Sequence, residues 1–150
     1  MRVELKGEAR EVVLAEAQSV LAMARDDEVR GRLGELVAAA EEGTVDGDAA
    51  ELLESVLELG LQAGRIRAYY GPGGEQAALA TLRKLPRGRE RAESAREVST
   101  ALQALVGKSL EGVAIAAVAP GVFTVSLNAD GFETSVRLDA SGVRLASVGT

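Results

Sequence analysis

Residues 122–145 read VFTVSLNADGFETSVRLDASGVRL, and apolar and polar side chains alternate in this segment around two turn sequences. Asn128–Gly131 and Asp139–Gly142 combine Asn or Asp, which hydrogen-bond the local backbone, with Gly, which accepts a positive φ. A third turn, Pro120-Gly121, precedes the segment. Alternation between such turns is typical of antiparallel hairpins with one solvated face. Residues from about 110 to 149 therefore predict a four-stranded antiparallel β-meander.

The first strand of this meander differs from the other three. Residues 112–119, GVAIAAVA, are apolar or glycine at every position and show no alternation. A strand of this kind is typical of one that is buried on both faces. We therefore expect this strand to be covered on both sides, and we expect a helix or a second subunit to cover the first or last strand of the meander.

Upstream of the meander, apolar side chains recur at the three-and-four spacing that favours amphipathic helices. About five helices are predicted: Glu8–Arg25, Asp26–Gly43, a third from Asp46 or Asp48 to Ala63 with an extension to Tyr70 left open, Glu75–Leu85 and Arg89–Val106. With Asp48 as N-cap, Glu51 takes the third helical position, as in a capping box. A short strand or lead-in is expected at Arg2–Lys6. Helices followed by strands indicate the α+β class.

Length and composition are those of one globular domain. The chain has 150 residues, 47% of them hydrophobic and 27% charged. We predict a single domain over 1–150, with a helical part at about 8–106 and the meander at about 110–149. The uncharged run between Gly112 and Asn128 is too short and too interrupted for a membrane helix, and no apolar signal segment follows Met1. The sequence therefore predicts a cytoplasmic protein without a membrane partner.

The inventory of reactive side chains is poor. The chain contains no Cys and no His, which excludes disulfides, thiolate nucleophiles, zinc–thiolate sites and His-assisted hydrolysis. Asp46, Asp48 and Glu51 lie close together, but Ala50 and Leu57 occupy positions where a calcium loop needs oxygen ligands. Helix capping explains these three acids. We therefore expect no catalytic residue, no metal site and no cofactor.

Charge is segregated along the chain. Residues 1–64 carry 15 acidic and 6 basic side chains, whereas residues 65–108 carry 4 acidic and 9 basic ones. The densest cluster, named the basic segment here, comprises Arg83, Lys84, Arg87, Arg89 and Arg91. These side chains either pair with the chain's own acidic helices or bind an acidic protein partner, including a second copy of the chain. Nucleic acid is a weaker alternative, because the whole chain has a net charge of −6.

A second candidate site surrounds the glycine-rich turn, Gly71-Pro72-Gly73-Gly74. Backbone N–H groups at a helix start bind anions, and four further side chains precede the turn. The candidate anion-binding residues are Arg65, Arg67, Tyr69, Tyr70, Gly73 and Gly74. No Gly-Lys-Ser/Thr sequence follows and no strand precedes, so neither the P-loop nor the dinucleotide fingerprint is present. The alternative is a tight connection between two helices.

These observations favour a non-catalytic, self-associating protein-interaction module, such as an adaptor, assembly factor or regulator. The basic segment is its predicted partner-binding surface, and a homo-oligomer is expected. Two alternatives stay open. The first is a protein or enzyme that binds a small anion or phosphate ligand through Arg65–Gly74. The second is a nucleic-acid-binding module that uses Arg83–Arg91.

Overall fold

Helices precede an antiparallel sheet in the computed structural model, which describes residues 1–149 and confirms the α+β class. The helices within that range are α1 (Gly7–Met23), α2 (Asp27–Glu42), α3 (Gly47–Gln62), α4 (Arg65–Leu82) and α5 (Pro86–Leu102). The strands are β1 (Arg2–Glu4), β2 (Thr44–Asp46), β3 (Leu110–Ala119), β4 (Val122–Ala129), β5 (Phe132–Asp139) and β6 (Gly142–Gly149). A 3-10 turn at Gln103–Leu105 follows α5.

The chain forms two compact units, which we call the helical unit (up to Arg89) and the sheet unit (from Glu90). In the helical unit, the apolar faces of α1 to α4 bury Val13, Leu36, Leu53 and Ile66 completely. Each of these side chains belongs to one continuous apolar cluster. The three-and-four spacing thus places one stripe of each helix in a shared core.

A two-stranded antiparallel sheet closes one side of the helical unit. Val3 of β1 pairs with Val45 of β2, and both side chains are buried in the core. The N–H of Leu5 donates to the carbonyl of Gly43 at 2.8 Å, beside this pair. The strand expected near Arg2 is confirmed, whereas β2 has only three residues and the sequence did not indicate it.

Helix ends follow local side-chain chemistry in part. Asp26 caps α2 by accepting a hydrogen bond from the N–H of Val29 at 3.0 Å, and Gly43 ends that helix at φ 84°. The capping box predicted with Asp48 as N-cap is wrong, because Asp48 lies inside α3 and Asp46 precedes the helix without a side-chain cap. The extension of the third helix to Tyr70 is absent, since α3 ends at Gln62 and Gly64 adopts φ 70°.

The glycine-rich turn divides α4 into two segments. Gly71 has φ 68° and ψ −171°, a conformation that only glycine adopts without strain, and Pro72 starts the second segment. The helix predicted from Glu75 therefore begins slightly earlier.

The sheet unit contains the predicted four-stranded meander, with the strand order β3-β4-β5-β6. Cross-strand partners share a face, so the register sorts the side chains into two sets. The rows on the first face are Val113–Leu127–Thr134–Val148, Ile115–Val125–Val136–Leu145 and Ala117–Phe123–Leu138–Val143. We call this the apolar face. The opposite face carries Ser126, Ser135, Arg137 and Arg144 among its side chains.

The cover expected on both sides of the first strand is not present in the sheet unit, and cover by a second subunit stays a prediction. All ten residues of β3 are exposed. Burial on the apolar face is instead centred on β5, where Thr134 and Val136 are buried. An uninterrupted apolar run predicts a strand that is covered, and the described part of the sheet unit does not cover β3.

Candidate functional site

Arg87, at the centre of the basic segment, contacts acidic groups of the helical unit. Its Nε lies 3.3 Å from Oε2 of Glu54, and its Nη2 lies 3.7 Å from Oε2 of Glu58. Glu54 is buried, and its Oε1 accepts a hydrogen bond from the N–H of Gly88 at 2.8 Å. Arg87 therefore serves as the counter-ion of a buried carboxylate, as one of the sequence alternatives predicted.

The other cations of the basic segment differ in their surroundings. Within the sheet unit, Nε of Arg91 donates to the carbonyl of Ser141 at 3.3 Å. Arg83, Lys84 and Arg89 are exposed. Lys84 lies near enough to Glu4 to contribute to lowering the pKa of that carboxyl, after the larger effect of the Lys6 hydrogen bond. Arg83 and Arg89 make no ion pair with residues 1–149.

Arg65, the first candidate anion-binding residue, is bonded to a buried carboxylate. Its Nη2 lies 2.5 Å and its Nε 3.1 Å from Oε2 of Glu16, which is only 1% exposed. This hydrogen bond raises the pKa of the Arg65 guanidinium. Burial raises the pKa of the neighbouring Tyr70 hydroxyl, and the Glu16 carboxylate raises it further. The charge of Arg65 is thus already compensated by a carboxylate of the same unit.

The rest of the glycine-rich region is also occupied by the chain's own groups. Nη1 of Arg67 lies 3.7 Å from Oε1 of Glu75, and Tyr69 is 77% exposed. A Cβ on Gly73 would lie 3.1 Å from the Glu8 carboxylate, so a side-chain anion already sits beside this helix start. Gly74 is buried, and a Cβ there would collide with Cβ of Tyr70 at 2.2 Å. This geometry matches the alternative of a tight connection between helices.

Two further features of the described residues concern metal ligands and a hollow that could hold a small ligand. Residues 1–149 contain no group of three or more acidic side chains placed to hold a metal ion. A shallow hollow of about 240 Å³ lies along β3 and β4 and is lined by Gly112, Val113, Ala114, Ser126, Leu127, Asn128 and Glu133. Small-molecule sites are typically about 300–1,000 Å³ and more enclosed. None of the helices described is long and apolar enough to cross a membrane.

The most unusual surface of the molecule is the β3 edge of the sheet unit. On the apolar face, Val113 is 61% and Ile115 67% exposed. Val118, which follows the regular part of the ladder between β3 and β4, is 63% exposed. Exposed single apolar residues are common on protein surfaces, but a contiguous apolar strip along an open sheet edge marks an interaction site or an aggregation hazard.

The sequence contained the signal for this surface in the run 112–119, which predicts a strand covered on both sides. The same signal fits a strand covered by another chain. No family model matches the chain, and neither a curated protein nor a solved structure matches it.

Proposed function

We propose that this chain is a non-catalytic protein-interaction module of the cytoplasm, and that it binds through the β3 edge and the adjoining apolar face. The single observation that carries this proposal is the exposure of β3 at all ten positions. A soluble chain keeps such a surface only at a cost in solubility, and a binding partner gives a physical reason to keep it.

The chemistry of the edge supports protein rather than small molecules as the ligand. β3 pairs with β4 on one side only, so half of its backbone N–H and C=O groups point outward. An extended peptide segment satisfies these groups by adding a strand, while side chains on both faces supply specificity. A shallow, open hollow offers a small ligand much less burial than this.

The two alternatives are less well supported. Arg65 and Arg67, which an anion site would use, contact Glu16 and Glu75. Arg87, the central cation for nucleic acid, contacts Glu54 and Glu58. An external anion would have to displace these carboxylates, whereas β3 is open without rearrangement. The exposed part of the basic segment, around Arg83 and Arg89, stays a predicted contact for an acidic partner.

Site-specific photo-crosslinking in cells that naturally produce the chain tests the proposal. A benzophenone amino acid replaces Ile115 in one variant and Leu59 in the control; Leu59 is an exposed apolar residue of α3, outside the sheet unit. We expect a discrete protein adduct from position 115 at least about tenfold stronger than from position 59. Mass spectrometry identifies whether the adduct contains this chain or another protein.

Either kind of adduct at position 115 supports a protein-interaction module. Equal, weak labelling at both positions, in cells where the chain is abundant and folded, would contradict the proposal. Such a result would mean that β3 stays free in the cell.

A further inference from the structure

We propose that the occupant of the β3 edge is a second copy of this chain, with the two β3 strands paired antiparallel in one eight-stranded sheet. This inference rests on the proposed function and specifies the partner. It places a two-fold axis perpendicular to the sheet, next to Ala114 or Ile115.

β3 has the features that normally protect an edge strand only at its two ends, where register shifts fall between Leu110 and Gly112 and between Ala117 and Ala119. Its single charge, Glu111, lies near one end, and the register with β4 is regular from Gly112 to Ala117. The other edge strand, β6, carries Arg144 in its ladder, and a register shift follows between Leu145 and Ser147. Charges and bulges on an edge discourage pairing with further strands. Residues 112–117 therefore form a straight, uncharged segment available for pairing, and β6 does not.

Symmetry makes this strand self-complementary. A two-fold axis perpendicular to a sheet keeps each face on its own side, so the apolar face of one copy continues into that of the other. With the axis at Ile115, the two Ile115 side chains lie opposite each other and Val113 lies opposite Ala117. Both positions are on the apolar face, and β-branched cross-strand pairs of this kind stabilise sheets. Each Glu111 then lies beyond the regular segment, far from its counterpart.

The open edge of β3 is long enough for extended pairing. Ten residues at about 3.4 Å each make an edge about 34 Å long. Pairing along this edge satisfies the outward N–H and C=O groups of both strands, and cross-strand side chains cover one another's flanks. The contact is narrow, so its stability depends on these backbone hydrogen bonds as well as on apolar burial.

The expected response to salt separates this interface from one made by the basic segment. Each copy has a net charge of −6, so salt screens the repulsion between two copies while leaving the apolar contact intact. We expect the dimer dissociation constant to stay constant or to fall as salt rises from about 0.05 to 0.5 M. A dimer held by the basic segment on acidic helices would weaken instead.

A cysteine scan of the purified full-length chain tests the pairing directly, because the natural sequence contains no Cys. Single variants Val113→Cys, Ala114→Cys, Ile115→Cys, Ala116→Cys and Ala117→Cys are oxidised, and the initial rate of disulfide-linked dimer formation is measured. Moving the cysteine by one residue offsets the two thiols by two residues, about 7 Å along the strands, which exceeds disulfide reach. We expect one position to react at least about tenfold faster than its neighbours. Val148→Cys on β6, also exposed, is the matched control and should react slowly.

The outcomes distinguish this inference from the proposed function. If the rate of disulfide-linked dimer formation is highest at a single position within 113–117, and light scattering gives the mass of a dimer, antiparallel β3 pairing is supported. Similar rates at alternate positions would indicate a parallel contact and overturn the proposal. A monomer at about 0.2 mM in light scattering overturns it as well. If position 115 still crosslinks to a different protein in cells, the interaction module stands and only the second copy is excluded.

Discussion

The helical unit and the sheet unit differ in how much of their apolar surface they bury. The helical unit encloses sixteen buried hydrophobic residues in one cluster, drawn from four helices, two short strands and the connecting residues Leu5 and Leu85. Among the described residues of the sheet unit, up to 149, the buried hydrophobics are Val98, Ala129 and Val136, although its strands are rich in Val, Leu and Ala. The apolar cluster of the helical unit is formed within one chain. The apolar face of the sheet unit continues past the buried centre to the exposed strand β3, and this exposure is the basis of the proposed pairing with a second copy.

The two isoleucines of the chain provide the sharpest contrast between the units. Ile66 is fully buried in the helical unit, whereas Ile115 is 67% exposed on β3. We expect Ile66→Ala to lower the free energy of unfolding by about 2–5 kcal/mol, because it leaves a cavity. Ile115→Ala should cost the monomer less than about 1 kcal/mol. Urea unfolding followed by far-UV circular dichroism at low protein concentration measures both.

A similar loss of stability in both isoleucine variants, at concentrations where the chain is monomeric, would contradict the contrast. It would mean that the β3 side of the sheet is buried in solution by the same chain.

Arg87 and Arg89 test whether the basic segment serves the fold or the surface. Arg87→Ala leaves the buried Glu54 carboxylate with the N–H of Gly88 as its remaining close donor, so we expect a loss of about 1–3 kcal/mol. Arg89 is exposed and should tolerate Ala within about 0.5 kcal/mol. Thermal unfolding of both variants at the same pH and salt measures the difference. If Arg87→Ala proved as neutral as Arg89→Ala, the ion pair with Glu54 would be irrelevant to the fold.

Two glycines measure how tightly the helical unit is packed. A Cβ on Gly60 would lie 2.8 Å from Oε2 of Glu16 and 2.9 Å from Cδ1 of Ile66, so Gly60→Ala should destabilise by about 1–3 kcal/mol. Gly31, in the exposed middle of α2, has no atom within 4 Å of such a Cβ. Gly31→Ala should stabilise by about 0.5–1 kcal/mol, since alanine favours the helix. Melting temperatures that rise in both variants would show that the Gly60 region is loosely packed.

Thr134 tests whether a buried hydroxyl at the centre of the apolar face lacks a hydrogen-bond partner in solution. Its hydroxyl is buried and has no hydrogen-bond partner within residues 1–149. We expect Thr134→Val to raise stability by about 1 kcal/mol, because it removes an unsatisfied polar group and keeps the shape. Thr81→Val is the control, since the Thr81 hydroxyl donates to the carbonyl of Ala77 at 2.9 Å. A destabilised Thr134→Val variant would indicate that the hydroxyl has a partner in solution.

The helices and the meander could be predicted from the sequence because their signals are local. Alternation around Asn128–Gly131 determines which side chains share a face, and the structure reproduces that register. The β2 strand was missed, because three residues between two helices carry no periodic signal. The contacts of Arg65 with Glu16 and of Arg87 with Glu54 join residues 49 and 33 positions apart in the chain, so only the packed helices bring them together.

The sequence predicted that β3 is a strand, but it did not predict that β3 is exposed. The run from Gly112 to Ala119 correctly indicates a strand, and its lack of charge predicts that the strand is covered. A one-chain sequence does not state whether that cover comes from the same chain or from another. The structure adds that β5 has buried positions whereas β3 is exposed at all ten.

Amide hydrogen exchange along β3 tests most directly whether the sheet unit is completed by a second copy. In the full-length chain at about 0.2 mM, we expect the outward amides of residues 112–117 to be protected, and this protection to disappear on dilution or in Ile115→Glu. The outward amides of β6 should exchange quickly under all these conditions. Fast exchange along β3 at every concentration, equal to that of β6, would contradict the account.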